Sequence, residues 1–89
     1  MMQVLTKDNL NEILNIIVYN SFLDLNNFLD ADNVYTYILN INDNLEEFLD
    51  FIYEDKLTNY ILDIDKVNLT EFHNTLINNI HSIAKNIIL

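Results

Sequence analysis

Apolar residues recur along most of the chain at the three- and four-residue spacing that is typical of amphipathic helices. The pattern predicts a first helix over about 7–22 and a last helix over about 69–88, and the last pattern is the most regular. The inward side chains of the first helix are predicted to be Leu10, Ile13, Leu14, Ile17, Val18 and Ser21. Those of the last helix are Phe72, Leu76, Ile77, Ile80, Ile83, Ala84, Ile87 and Ile88.

Residues 23–42 fit two different predictions. Helical spacing is shown by Val34, Tyr37, Ile38 and Ile41. Asp30 or Asp32 is placed to cap such a helix. The run 34–38 is also rich in β-branched and aromatic residues, which favour strands. Because a lone strand would find no partner elsewhere in the chain, we predict a helix.

A third helix is predicted to begin at Asn44. Its inward side chains are Leu45, Phe48, Leu49 and Ile52. Beyond them the pattern leaves two alternatives: the helix breaks near Glu54 and Asp55, or it continues. Continuation would add Leu57, Tyr60, Ile61 and Ile64 to the apolar face. In both cases residues 63–67 are predicted to connect this region to the last helix.

The sequence Asn-Leu-x-Glu, followed by Ile or Phe, occurs three times, beginning at Asn9, Asn44 and Asn68. An Asn at the start of a helix accepts a hydrogen bond from a first-turn amide, and a Glu three residues later favours the positive end of the helix. We therefore expect a helix to start at each site, with Thr6 as an alternative cap for the first. The unequal intervals between the three sites exclude a fixed-period repeat protein.

Short connections between successive helices favour antiparallel neighbours. A chain of 89 residues suffices for one core. The prediction is a single all-α domain over residues 1–89, a small bundle of four to five helices. Since the chain contains no glycine, turns that need a positive φ are expected at Asn or Asp.

The net charge of −10 is concentrated in residues 30–65, which contain ten of the 14 acidic residues and only one lysine, Lys56. A dense acidic surface repels nucleic acid and anionic membranes, and it attracts basic proteins. We therefore expect a basic protein as the partner, with no direct nucleic-acid binding and no membrane binding. No secretory signal or membrane-spanning run is visible, so a cytoplasmic location is expected.

The acids of the predicted third helix are the candidate binding site. Glu46, Asp50 and Glu54 are four residues apart, which places them in a column that rises ~5.4 Å per turn. An ordinary solvated helix face interleaves Lys or Arg at this spacing, and this face has almost none. The alternative is that the column only keeps an apolar small protein soluble. The expected partner-binding residues are Asp43, Glu46, Glu47, Asp50, Glu54 and Asp55, with Tyr53 and Tyr60 as aromatic anchors.

No catalytic or metal-binding motif is visible in the sequence, although acidic residues are plentiful. The chain has no cysteine, which excludes disulfides and thiolate sites. The Asp-x-Asp sequences at 30–32 and 63–65 lack the glycine and glutamate of a calcium loop. His73 and His81 are eight residues apart, whereas a helical zinc pair needs four. We expect no catalytic residue, no metal and no cofactor, and therefore no enzyme.

These observations favour a stoichiometric inhibitor that occupies a basic, nucleic-acid-binding surface, for example on a nuclease complex. Its size and charge are comparable to those of phage and mobile-element anti-defence proteins of the anti-CRISPR type, which would act in the host cytoplasm; this is analogy only. The second hypothesis is an oligomerising scaffold, such as a homodimer, that associates through Ile80, Ile83, Ile87 and Ile88. The third is an acidic immunity or antitoxin protein for a basic toxin.

Overall fold

The computed structural model describes residues 2–63 and 65–88. Its elements are β1 (Gln3–Leu5), α1 (Leu10–Asp24), α2 (Ala31–Leu39), α3 (Ile41–Phe51), β2 (Tyr60–Leu62) and α4 (Leu69–Ile88). A 3-10 turn at Leu25–Asn27 follows α1, and a π-helical turn at Ile52–Lys56 extends α3. This part of the chain is mostly helical, with a short two-stranded parallel sheet beside the helices. In neither described stretch is any helix long and apolar enough to cross a membrane.

Helices α1 and α4 pack against each other along the molecule and provide much of the core. Their predicted inward positions are buried or half-buried, with the exception of Ile87, which is exposed. The predicted helices over 7–22 and 69–88 are therefore confirmed within about two to three residues at their ends. Phe22 of α1 stacks on Phe48 of α3 with ring centroids 4.5 Å apart, which joins α3 to the same core.

The α1–α4 interface also contains a buried polar side chain, Asn79. Its Oδ1 accepts a hydrogen bond from Nδ2 of Asn15 at 3.1 Å. Its Nδ2 donates to Oδ1 of Asn11 at 3.1 Å and to the carbonyl of Thr75 at 2.9 Å. Because a buried amide without partners costs ~1–3 kcal/mol, these bonds favour a single register between the two helices.

The predicted helix in the ambiguous segment is confirmed as α2. Asp30 is its cap, and its Oδ1 accepts a hydrogen bond from the amide of Asn33 at 2.9 Å. The prediction that the next helix begins at Asn44 is wrong, since α3 begins at Ile41. Asn40 alone separates the two helices, and Asn44 lies inside α3, where its Nδ2 donates to the carbonyl of Tyr37 at 3.0 Å.

The third helical region ends just after Glu54 and Asp55, as one of the two alternatives predicted. The amide of Leu57 donates to the carbonyl of Ile52 at 3.0 Å, a five-residue step that closes the π-helical turn just after Asp55. The alternative of helical continuation is wrong for Tyr60 and Ile61, which belong to β2. Ile64 lies outside the described residues.

The all-α prediction is correct for the bundle and incomplete for the whole fold because it lacked the sheet. Gln3, Val4 and Leu5 pair in parallel with residues 60–62, and Val4 lies opposite Ile61. Strands of three residues are too short to show an alternating pattern, so periodicity could not reveal them. The pairing brings the start of the described chain next to the segment that leads into α4, where Leu5 and Val67 are buried.

The turns are made without left-handed residues. No residue in 2–63 or 65–88 has a positive φ, so the expectation that Asn or Asp would supply such turns is wrong for this part of the chain. The one-residue link at Asn40 uses φ −103° and ψ 34°. This conformation lies close to the bridge region, which needs no glycine.

Candidate protein-binding surface

One face of α3 carries exposed acidic side chains. They are Asp43, Glu46, Glu47 and Asp50. At 3.6 residues per turn, these four lie on the side of the helix opposite to the buried Ile41 and Phe48. The acidic side chains of α3 are therefore grouped on one side of the helix and point to solvent. We call these four residues the acidic face.

Glu54 and Asp55 extend the acidic region into the π-helical turn, and both side chains are exposed. Lys56, which follows Glu54 and Asp55 in the sequence, does not form an ion pair with the acidic face. Lys56 forms an ion pair with Asp24 of α1, and its Nζ lies 5.6 Å from the ring centroid of Phe51. The only cation of residues 30–65 is thus held by an acid that lies outside this segment.

Glu47 is hydrogen-bonded to a side chain of α2. The hydroxyl of Tyr37 donates a hydrogen bond to Oε1 of Glu47 at 3.3 Å. Burial raises the pKa of Tyr37 to about 12, and the negative charge of Glu47 and this hydrogen bond add to the rise. The phenol therefore stays protonated near neutral pH and keeps donating to the carboxylate.

An apolar groove lies beside Glu47, between residues 25–29, α2 and α3, and it encloses about 400 Å³. Its lining is Leu25, Phe28, Leu29, Tyr37, Glu47, Phe48, Phe51 and Asp55. Phe48 is only 1 % exposed, whereas Phe28 is 70 % exposed although it is a large apolar side chain. The rings of Phe28 and Phe51 meet edge to face, with centroids 6.1 Å apart. We call this feature the aromatic groove.

The two tyrosines predicted as anchors lie elsewhere. Tyr53 and Tyr60 both line a separate hollow of about 410 Å³ beside the sheet and the start of α4. The ring of Tyr53 lies 6.3 Å from that of Phe72, and burial raises the pKa of Tyr53. His73 also lines this hollow, and no group of three potential metal ligands occurs among the residues that the structure describes.

The residues predicted for an oligomer interface are mainly core residues. Ile80 and Ile83 are 0 % and 7 % exposed, so another chain could reach them only if the helices separated. Ile88 is half-buried against the core, and Ile87 is exposed. Exposed apolar side chains with helical spacing lie instead on α1, at Ile16, Tyr19 and Leu23.

Sequence reasoning missed the aromatic groove. The sequence does contain one signal for it, because Glu47, Phe51 and Asp55 are spaced by four and therefore share one side of a helix. No comparable signal exists for Phe28, which follows a 3-10 turn that contacts both α1 and α2.

Comparisons of this chain with protein-family models, with curated proteins and with solved structures found no match. Analogy at the level of the fold therefore adds nothing to a functional interpretation, which depends on the chemistry of the surface.

Proposed function

We propose that this protein is a small acidic binding protein that occupies a basic, nucleic-acid-binding surface of a partner protein and inhibits it stoichiometrically. One observation carries the proposal: the acidic face of α3 is exposed on the side opposite to the core, and the nearby lysine is engaged with Asp24. An acidic face without its own cations attracts the cations of a partner.

The mechanism is competition for Lys and Arg side chains. Glu46 and Asp50 are four residues apart, a rise of ~6 Å along the helix axis, which is within a factor of two of the ~3.4 Å axial step between phosphates of one DNA strand. A guanidinium group that binds phosphate also binds a carboxylate with two parallel hydrogen bonds. A partner whose cations hold these carboxylates has fewer of them left for nucleic acid.

The same face also suits a partner that is a basic toxin, in which case the protein is an immunity protein or antitoxin. Both functions use the same carboxylates and the same charge complementarity. The identity of the captured partner separates them, whereas the inhibition mechanism is common to both.

The test neutralises the acidic column and compares it with an equal charge change elsewhere. The test variant is Glu46→Gln, Asp50→Asn and Glu54→Gln. The control variant is Asp8→Asn, Glu12→Gln and Asp65→Asn, whose side chains are also exposed. Each tagged protein is used to capture partners from lysate at about 50 mM and about 500 mM salt. Circular dichroism verifies that both variants keep the helical content of the parent.

The captured protein is then purified, and displacement of a labelled oligonucleotide from it is measured. We expect the parent and the control variant to displace the oligonucleotide and the test variant to bind on the order of a hundredfold more weakly. High salt should abolish capture by the parent. Equal displacement by the test variant, or capture that salt does not affect, would contradict the proposal.

A further inference from the structure

We infer that the aromatic groove binds a large apolar side chain from a basic segment of the partner, while Glu47 and Asp55 bind Lys or Arg residues on either side of it. The inference rests on the proposed function, because the groove runs along the edge of the acidic face and one partner would contact both. It adds to that function a specific anchor and a sequence preference in the partner.

The groove offers apolar surface that the chain itself leaves uncovered. Phe48 and Leu25 are buried beneath it, and Phe51 is half-buried. Phe28 is 70 % exposed and nevertheless held against the ring of Phe51. Filling such a groove removes apolar surface from water, which favours binding. An aromatic or large aliphatic side chain is the group that gains most from this site.

The charges at the groove select the residues next to that anchor. Glu47, Phe51 and Asp55 are spaced by four, so the two carboxylates lie on either side of Phe51 along the helical axis. A partner segment with cations on both sides of its apolar residue matches this order of negative, aromatic and negative groups.

The groove is held in place before any partner binds. The hydroxyl of Tyr37 donates to Glu47, and Nζ of Lys56 lies over the ring of Phe51 while it pairs with Asp24. Side chains that are already ordered lose less entropy on binding, which favours affinity.

The negative charge of the chain also indicates which kind of partner can occupy the aromatic groove. A second copy of this chain carries the same net charge of −10 and would be repelled. An anionic membrane surface is repelled for the same reason. A basic protein segment is attracted, and its apolar residue uses the groove that the carboxylates flank.

The probes are two short synthetic peptides with identical lysines, one with a central Phe and one with Ala at that position. Binding of each fluorescently labelled peptide to the full chain is measured by anisotropy. Two-dimensional NMR of isotope-labelled protein shows which residues the peptides contact. We expect the Phe peptide to bind on the order of tenfold more tightly than the Ala peptide, and to shift the signals of Leu25, Phe48 and Phe51.

Two matched variants test the groove itself. Phe28→Ala removes an exposed wall of the groove, and Leu69→Ala removes an equally exposed side chain (71 %) at the start of α4. Phe28→Ala should reduce the preference for the Phe peptide to about twofold or less, whereas Leu69→Ala should leave it unchanged. Thermal unfolding of both variants shows that they are folded at the temperature of measurement.

Failure of the groove inference and failure of the proposed function give different experimental results. If both peptides bind equally and Phe28→Ala has no effect, the groove is not an anchor site, while loss of oligonucleotide displacement on neutralising Glu46, Asp50 and Glu54 still supports the acidic mechanism. If the variant with Glu46, Asp50 and Glu54 neutralised displaces the oligonucleotide as well as the parent does, the proposed function fails, even where Phe28→Ala weakens the Phe peptide. A dimer of the parent chain that Phe28→Ala dissociates would make a second copy the occupant and overturn the inference.

Discussion

The hydrogen bond between Tyr37 and Glu47 connects α2 to the acidic face of α3. Burial, together with the carboxylate, raises the pKa of Tyr37 to about 12, from about 10 in an unfolded chain. Between these two values the unfolded chain loses the phenol proton before the folded chain does. The raised pKa therefore stabilises the fold below pH ~10, and this stabilisation is lost as the pH rises through ~12.

We expect the free energy of unfolding to fall as the pH is raised from about 9 to about 12. Tyr37→Phe should reduce this pH dependence, because the variant has no proton to lose at that position. Urea denaturation across this pH range measures the stability, and the absorbance of tyrosinate follows ionisation directly. Tyr35→Phe is the control, since Tyr35 is exposed. Identical pH dependences for the parent and Tyr37→Phe would show that another group is responsible.

Asn79 illustrates what the sequence alone could not reveal at this scale. It is one of 16 asparagines. Its spacing from Leu76 and Ile83 places it on the inward face of α4, but this spacing does not show which polar groups it meets. Its role comes from Asn11 and Asn15, which lie more than sixty residues earlier and meet it only when α1 and α4 pack. Polar contacts over such a distance in sequence depend on tertiary structure and not on local propensity.

Among the helical elements, the three Asn-Leu-x-Glu sequences have three different outcomes. Asn68 caps α4, and its Oδ1 accepts a hydrogen bond from the amide of Glu71 at 2.7 Å. Asn9 precedes α1, but its Oδ1 accepts from the amide of Thr6 at 2.7 Å, so it orders the turn before the helix. Asn44 is inside α3. The motif thus precedes a helix at Asn9 and Asn68, but only the side chain of Asn68 caps the first turn.

The cap at Asn68 gives a quantitative prediction. Asn68→Ala should lower the free energy of unfolding by about 1 kcal/mol, because the amide of Glu71 loses its acceptor. Asn68→Ser should cost only a few tenths of a kcal/mol, since serine is about as good a cap. Chemical denaturation of the three proteins measures both values. Equal losses in the two variants would mean that the side chain of Asn68 acts by packing and not by capping.

Periodicity predicted the helices and failed for the strands. Helices α1 and α4 have 15 and 20 residues, enough turns for a repeating apolar stripe to be visible. The boundary between α2 and α3 was misplaced because Asn40 alone interrupts two helices whose apolar positions form one continuous pattern. The strands, of three residues each, depend on each other for their hydrogen bonds and carry no pattern of their own.

At the scale of the whole molecule, the distribution of charge opposes folding. Ten of the 14 acids lie in residues 30–65, and four of them share one face of α3. Like charges held close together in the folded state repel one another more than in an extended chain. Their distribution along one helix was predictable from spacing. The aromatic groove was not, because it is assembled from residues 25–29, α2 and α3.

Salt should therefore stabilise the fold. We expect the free energy of unfolding to rise by about 1 kcal/mol when NaCl is increased from about 10 mM to about 200 mM, since salt screens the repulsion. Neutralising Glu46, Asp50 and Glu54 should raise the stability at low salt and reduce this dependence. Neutralising Asp8, Glu12 and Asp65 should have a smaller effect on the stability at low salt and on its salt dependence. A stability that salt leaves unchanged would show that the folded chain does not concentrate the charge enough to matter.

The parallel pairing of β1 with β2 also sets an order of events during synthesis. Gln3–Leu5 leaves the ribosome first, yet its partner Tyr60–Leu62 is made only after α1, α2 and α3. Until then the backbone of β1 has no strand to pair with. The loop between β1 and β2 is long, and closing a long loop is entropically slow. The pairing of β1 with β2 therefore forms only after α1, α2 and α3 have been made.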